Sequence, residues 1–145
     1  MKPSRSCELI VDGASRGNPG PAGIGVAVLE GQPEPAHRLA KFLGETTNNV
    51  AEYLALIYGV QWALHAGYTS VGIKTDSELL VRQIHGRYQV RDATLRLFSD
   101  IAKHLLAQLA HWSLEHTPRA HTVLADRLAA GAAKRRAPEA LAPVL

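Results

Sequence analysis

Between Cys7 and Leu43 the apolar residues come in short runs broken by glycine and proline, and after Asn48 they recur at helical spacing. This change of period constrains the fold most. A period of two buries one face of a strand, and a period near 3.6 buries one face of a helix. Cys7–Asp12 reads as a short apolar strand ending in an acid, Ile24–Leu29 as a valine-rich second strand, and His37–Leu43 as a roughly alternating third. The segment Gly13-Ala14-Ser15-Arg16-Gly17-Asn18-Pro19-Gly20-Pro21 reads as a turn-rich loop, and residues 31–35 as a turn. Three such strands in close succession predict an antiparallel meander.

From Asn48 the reading is helical. Asn48 or Asn49 can cap a helix that runs to about Ala66, with Ala51, Leu54, Ala55, Tyr58 and Trp62 in helical register and Gly67 as its stop. Val71–Thr75 is a fourth strand, Ser77–His85 a short helix ended by Gly86, and Ala93–Leu109 a longer helix. Trp112–Glu115 is a fifth strand and Thr122–Arg136 a last helix. The order predicts an α/β fold: one mixed five-stranded sheet, three antiparallel strands followed by parallel ones, flanked by helices. If the first and fourth strands are parallel neighbours, their ends share the rim where open α/β sheets hold ligands. Residues 1–136 are expected to form a single domain, and 137–145 a flexible tail.

One cysteine, Cys7, excludes an intramolecular disulfide and a Cys-rich zinc site, and it reads as a small buried apolar residue. No run approaches the roughly 18 apolar residues of a membrane helix. Leu9-Ile10-Val11 is too short an apolar stretch for a signal peptide, so a cytoplasmic protein with no membrane partner is expected. The net charge of +3 is unevenly spread. Residues 1–81 carry six Lys/Arg against eight Asp/Glu, whereas residues 82–136 carry ten against four and hold five of the seven histidines. That pattern reads either as a positive surface for a polyanion or as solvated helix faces.

Two acids stand where core strands give way to turns. Asp12 follows Leu9-Ile10-Val11, and Asp76 follows Val71-Gly72-Ile73-Lys74-Thr75. Either can be a turn or cap residue. If the two strands are neighbours, both carboxylates enter one small region. Glu52 falls in the first turn of the long helix, in a row with Leu56, Gly59 and Ala63, where a solvated glutamate is out of place. Its other reading is an acid favoured by the helix dipole. Asp126, early in the last helix, is a fourth candidate or a partner for Arg119 or Arg127. Clustered carboxylates repel one another unless hard divalent cations lie between them. Two such ions about 4 Å apart activate water and stabilise a leaving oxygen in phosphodiester hydrolysis without a nucleophilic side chain. The chain has neither a recognisable Ser-His-Asp order nor a GxxxxGK motif.

These residues resemble a known family. Asp12-Gly13-Ala14-Ser15-Arg16-Gly17-Asn18-Pro19-Gly20-Pro21-Ala22-Gly23 resembles the first motif of type 1 ribonuclease H. Thr46-Thr47-Asn48-Asn49-Val50-Ala51-Glu52-Tyr53 resembles its TTNNxxE motif, Thr75-Asp76-Ser77 with Gln83 its third, and His116 to Ala125-Asp126-Arg127-Leu128-Ala129 its last. The likeness runs over about residues 7–132, with the four motifs in family order. It implies that Asp12, Glu52, Asp76 and Asp126 hold two Mg²⁺ ions, with Mn²⁺ a substitute. It further implies an endoribonuclease that cuts the RNA strand of an RNA–DNA hybrid to leave 5′-phosphate and 3′-hydroxyl ends, reading 2′-hydroxyls in the minor groove. By position, Gly13, Ser15, Glu52, Asp76 and Ser77 line the RNA side. Asn18, Asn48, Asn49 and Gln83 meet bases or sugars, and Thr47 helps hold a DNA-strand phosphate. No obligatory protein partner is implied, and a monomer is expected.

Some positions depart from the family pattern. Thr122 stands where the family often has Asn. Residues 86–94 are too short for the basic protrusion of many bacterial members, though they include Arg87, Tyr88 and Arg91, so the chain resembles the compact branch. No separate N-terminal hybrid-binding domain is expected. His116 matches the family's mobile-loop histidine, implicated in proton transfer or product release. His121 is an alternative to it, and Arg119 is a candidate contact to the scissile phosphate. Two other readings stay open: a nucleic-acid-binding module on this fold that no longer cuts, and a related nuclease acting on double-stranded RNA or embedded ribonucleotides.

Overall fold

The computed structural model describes residues 4–135, so the expected tail over 137–145 lies outside the described residues. Five strands form one sheet: β1 (Ser6–Ser15), β2 (Gly20–Leu29), β3 (His37–Thr46), β4 (Ser70–Thr75) and β5 (His111–His116). Their spatial order is β3-β2-β1-β4-β5. The first three pair antiparallel, and β1–β4 and β4–β5 pair parallel, as the element order predicts. The helices are α1 (Asn48–His65), α2 (Glu78–Ile84), α3 (Ala93–Leu106) and α4 (Val123–Arg135), with a 3₁₀ turn at Arg119–His121. None of the described helices is long and apolar enough to cross a membrane.

Strand alternation divides the chemistry between the two faces. Leu9, Val11, Ile24, Val26, Val28, Val71 and Ile73 are buried in the main core with Ala55, Leu56 and Val60 of α1. Gly59 of α1 faces Leu9, Val11 and Val26, so the helix lies close to the sheet, as its position in the sequence suggests. On the opposite face α4 lays Ala125, Ala129, Ala132 and Ala133, all buried, over β2. Small residues are required there. A Cβ at Gly23 meets the Ala129 carbonyl and the Ala132 methyl, and one at Gly25 meets the Ala125 carbonyl and Ala129 N.

The strands run longer than their apolar runs suggest. Residues 13–15 and 20–21, expected in a loop, belong to β1 and β2, leaving only residues 16–19 as the connection. Turn chemistry misleads here because the glycines serve close packing. A Cβ at Gly13 has no room beside the backbone of Ala51 and Glu52. Strand β3 likewise continues past Leu43 to Thr46 through a bulge at Gly44, whose φ of 80° suits glycine. The cap of α1 is Thr47, neither asparagine: its Oγ1 accepts from Val50 N at 3.2 Å. Helix α3 stops at Leu106, where i→i+3 bonds from Gln108 and Leu109 tighten the chain.

Two glycines separate packing from propensity. Gly25→Ala is expected to destabilise the fold by about 2–3 kcal/mol through overpacking against α4 backbone. Gly131→Ala, with open space around its Cβ in the interior of α4, should stabilise by up to about 1 kcal/mol. Urea unfolding of both variants reads the signs. Equal effects would show that α4 does not lie on Gly25 as described.

Candidate active site

The β1–β4 register creates the site. Ser6 pairs with Ser70 and Ile10 with Lys74 at a constant offset. Carried two residues further, that offset brings Asp12 level with Asp76 on adjacent strands, with the same parity and therefore the same side of the rim. Asp12 is 3% exposed and the Asp76 side chain 10% exposed. Helix α1 adds Glu52, also buried, whose Oε1 accepts from Gly13 N at 2.7 Å. No acid stands in the first turn of α1, so Glu52 lies beyond the zone where a helix dipole favours it. Carboxylate oxygens of Asp12, Glu52 and Asp76 all lie within 4.8 Å of one another. Asp126, in the first turn of α4, acts on the Asp12 carboxyl from the opposite face, raising its pKa.

Electrostatically the cluster is under stress. Burial pushes the Asp12 carboxyl far above the ordinary carboxylate range, and the Glu52 charge, the hydrogen bond with Asp126 and the charges of Asp76 and Asp126 push the same way. Glu52 is raised to about 7, chiefly by burial and then by Asp76, against the lowering effect of the Gly13 N–H. Among protein groups, relief comes from Arg119. Its Nε donates to Asp76 Oδ2 at 3.2 Å from the 3₁₀ turn, and its side chain is 81% exposed. The Thr122 hydroxyl, fully buried, donates to the Arg119 carbonyl at 3.0 Å, so the departure from Asn serves to hold that turn. The donor set is oxygen-only, anionic and convergent, which fits a hard divalent cation.

The other expected residues are placed variously. Asn18 Oδ1 accepts from Asn48 N at 2.9 Å, tying the β1–β2 connection to the start of α1, and the side chains of Asn48 and Asn49 are exposed. Ser15 ends β1 near the same rim. Thr47 and Ser77 cap α1 and α2, each accepting from a backbone N–H and keeping a hydroxyl hydrogen to donate. Gln83 is not on the surface: it is buried, and its Oε1 accepts from Tyr53 OH at 2.7 Å. His116 is not brought to the acids either. In β5 it is level with Thr75, so alternation turns it away from Asp76, and it lines a groove with Val81 and His85. Arg119, one of the two partners considered for Asp126, pairs with Asp76. Sequence reasoning missed Tyr53 as the anchor of Gln83, since an aromatic in a helix row reads as plain core.

The chain matches the reverse transcriptase-like family over residues 10–132. It is 39% identical over 118 residues to ribonuclease HI of Halobacterium salinarum, covering 81% of this chain and 59% of that protein. It is 41% identical over 119 residues to the bifunctional protein Rv2228c of Mycobacterium tuberculosis, covering 81% of this chain and 33% of that one. The chain thus spans well under two thirds of the length of these relatives. The crystal structure of RNase H1 from H. salinarum superposes with a TM-score of 0.86 at 36% identity, covering 90% of this chain and 98% of that one. LC11-RNase H1, solved in complex with RNA/DNA hybrid, superposes at 0.83 and 36% identity, covering 89% and 97%. The chain belongs to the type 1 ribonuclease H family.

Both carboxyl shifts have the same sign. The folded state favours the protonated acids, so the stabilisation is complete below the ordinary carboxylate range and is lost as pH rises through about 7 for Glu52. The metal-free melting temperature is therefore expected to fall from about pH 5 to about pH 8, and Mg²⁺ should restore it at the upper end. Asp12→Asn should flatten that decline, raise the metal-free value at about pH 8 by several degrees and weaken the response to Mg²⁺. A decline of equal size in the variant would show that the acids are not strained.

Proposed function

We propose that this chain is an endoribonuclease that hydrolyses the RNA strand of RNA–DNA hybrids, leaving 5′-phosphate and 3′-hydroxyl ends. The observation that carries this reading is the convergence of Asp12, Glu52 and Asp76 oxygens within 4.8 Å of one another. In this reading Asp12, Glu52, Asp76 and Asp126 hold two Mg²⁺ ions, with Mn²⁺ an alternative. When bound, such ions supply an activated water and charge for the leaving oxygen. The hybrid-bound relative LC11-RNase H1 supports the choice of substrate.

The chain's own residues do the rest. Gly13 N–H fixes the Glu52 carboxylate in the rim. Arg119, mostly exposed and paired with Asp76, exchanges that partner for a phosphate oxygen of the scissile strand in this reading. The side chains of Ser15 and Ser77 take the RNA side, with Asn18, Asn48 and Asn49 at sugars or bases and the Thr47 hydroxyl at a DNA-strand phosphate. Gln83 supports this surface from beneath through Tyr53. Arg119 is the cationic group assigned to the scissile phosphate, and His116 keeps the expected part in proton transfer or product release. A monomer acting in the cytoplasm belongs to the same proposal.

A cleavage panel tests it. With Mg²⁺ the protein is expected to nick a labelled hybrid and spare double-stranded DNA, and excess chelator should stop it. Asp76→Asn should lower turnover by at least about 10²-fold, the scale of losing one group that stabilises transition-state charge, while the melting transition stays cooperative. Tight hybrid binding without cleavage in either Mg²⁺ or Mn²⁺ would instead favour a binding module. Preference for an RNA duplex would move the activity to another substrate.

A further inference from the structure

The groove that receives His116 lies outside the acid cluster just described. It lies between α2 and the sheet-edge strand β5, has a volume of about 500 Å³, and is lined by residues that include Val81, His85, Arg87, Trp112, Glu115 and His116. That volume lies in the range of small-molecule sites. Its walls combine three features seldom found together by chance. Trp112 is a large aromatic left 37% exposed on an edge strand. His85 lies nearly parallel to it, with centroids 6.0 Å apart and an interplanar angle of 15°. His85 Nε2 donates to the Leu114 carbonyl at 2.8 Å, which ties α2 to β5 and holds the ring pair in place. Arg87 adds a cationic group and His116 an imidazole, with Glu115 as the acid of the lining.

A rigid aromatic face beside cationic groups is the chemistry that binds unpaired nucleotides: the base stacks, and the phosphate meets the cation. Holding the rings beforehand reduces the entropy cost of stacking. The groove lies on the other face of the sheet from the acids, but its His116 end is close to them along the strands. His116 is level with Thr75, the residue before Asp76, and Trp112 lies four residues back along β5, about 13 Å at the rise of a strand. One nucleic-acid strand covers that distance in about four nucleotides of duplex rise. Protein pairing along this edge is disfavoured by the charged and polar side chains of His111, Glu115 and His116.

We propose that the His85–Trp112 groove is a second nucleic-acid site, which stacks an unpaired nucleotide of a single-stranded segment flanking the hybrid held at the acids. The inference rests on the hybrid reading given above and extends it to substrates with single-stranded ends.

The test compares a blunt hybrid with hybrids carrying a short single-stranded extension on either the RNA or the DNA strand. Affinities are measured with the Asp76→Asn protein and cleavage with the unaltered one. An extension on one of the strands is expected to tighten binding about ten-fold, the lower to middle part of the range for one stacked base, and to quench tryptophan fluorescence. Trp112→Ala should lose that increment and the quench while binding and cleaving the blunt hybrid as before, and Trp112→Phe should retain the increment. No gain from either extension, or a gain that survives Trp112→Ala, would overturn the proposal. Self-association that Trp112→Ala abolishes, without any response to extensions, would assign the face to a second copy and overturn it equally. If no hybrid is cleaved, the hybrid reading fails. The groove is then judged on a free single-stranded oligonucleotide, which should still quench the protein and not the Trp112→Ala variant.

Discussion

Parallel pairing of β1 with β4 brings two carboxylates level at one end of a sheet, and the site depends on that register. The pairing runs from Ser6–Ser70 to Ile10–Lys74, and two residues beyond it the Asp12 and Asp76 carboxylates come together at the same rim. A slip of one residue would reverse the parity and turn one acid toward the core beneath α1. The apolar run Leu9, Val11, Val71 and Ile73, all essentially inaccessible, resists such a slip, because it would expose the same side chains that hold the sheet to α1. The hydrophobic core thus holds the acids in a position that their own charges oppose.

Close approach of helices to the sheet brings the remaining acids into the rim. Gly13 lets the start of α1 lie on β1, so that a backbone N–H reaches Glu52. Gly23 and Gly25 let the alanine face of α4 lie on β2, which carries Asp126 to Asp12. Each glycine forgoes the packing a side chain would provide and permits a backbone contact that no other residue allows. The result is a set of mutually repelling groups, two of them deeply buried, held by a well-packed scaffold. Such strain persists only where the surroundings overdetermine it, and its natural relief is a cation between the oxygens.

Much of the architecture is legible along the chain. Short apolar runs mark five strands, helical spacing marks the helices, and Gly67 and Gly86, at φ of 93° and 78°, end two of them as their positions suggest. The convergence of Asp12, Glu52 and Asp76 is foreshadowed too, because acids at the ends of strands and in an apolar helix row are conspicuous. The readings that fail do so for physical reasons. Gly13 looks like a turn residue, yet its use is to admit the backbone of α1, and local sequence does not distinguish these roles. Asn48 and Asn49 are good caps by type, but Thr47 already has the extended backbone a cap needs. His116 lies ten residues before Asp126 in the chain, but strand alternation turns it to the other face.

By itself the sequence determined what kinds of elements form, in what order, and which side chains are too polar for the places they occupy. Those properties depend on periodicity and on each residue's own chemistry, which are local. The tertiary structure alone decided which carboxylates share oxygens within reach of one ion, that Arg119 pairs with Asp76 in place of Asp126, and that His85 and Trp112 stack beside a groove at the sheet edge. These outcomes depend on register and on distances between elements far apart in the chain. Such distances are set by the packing of the whole core, which no single segment encodes.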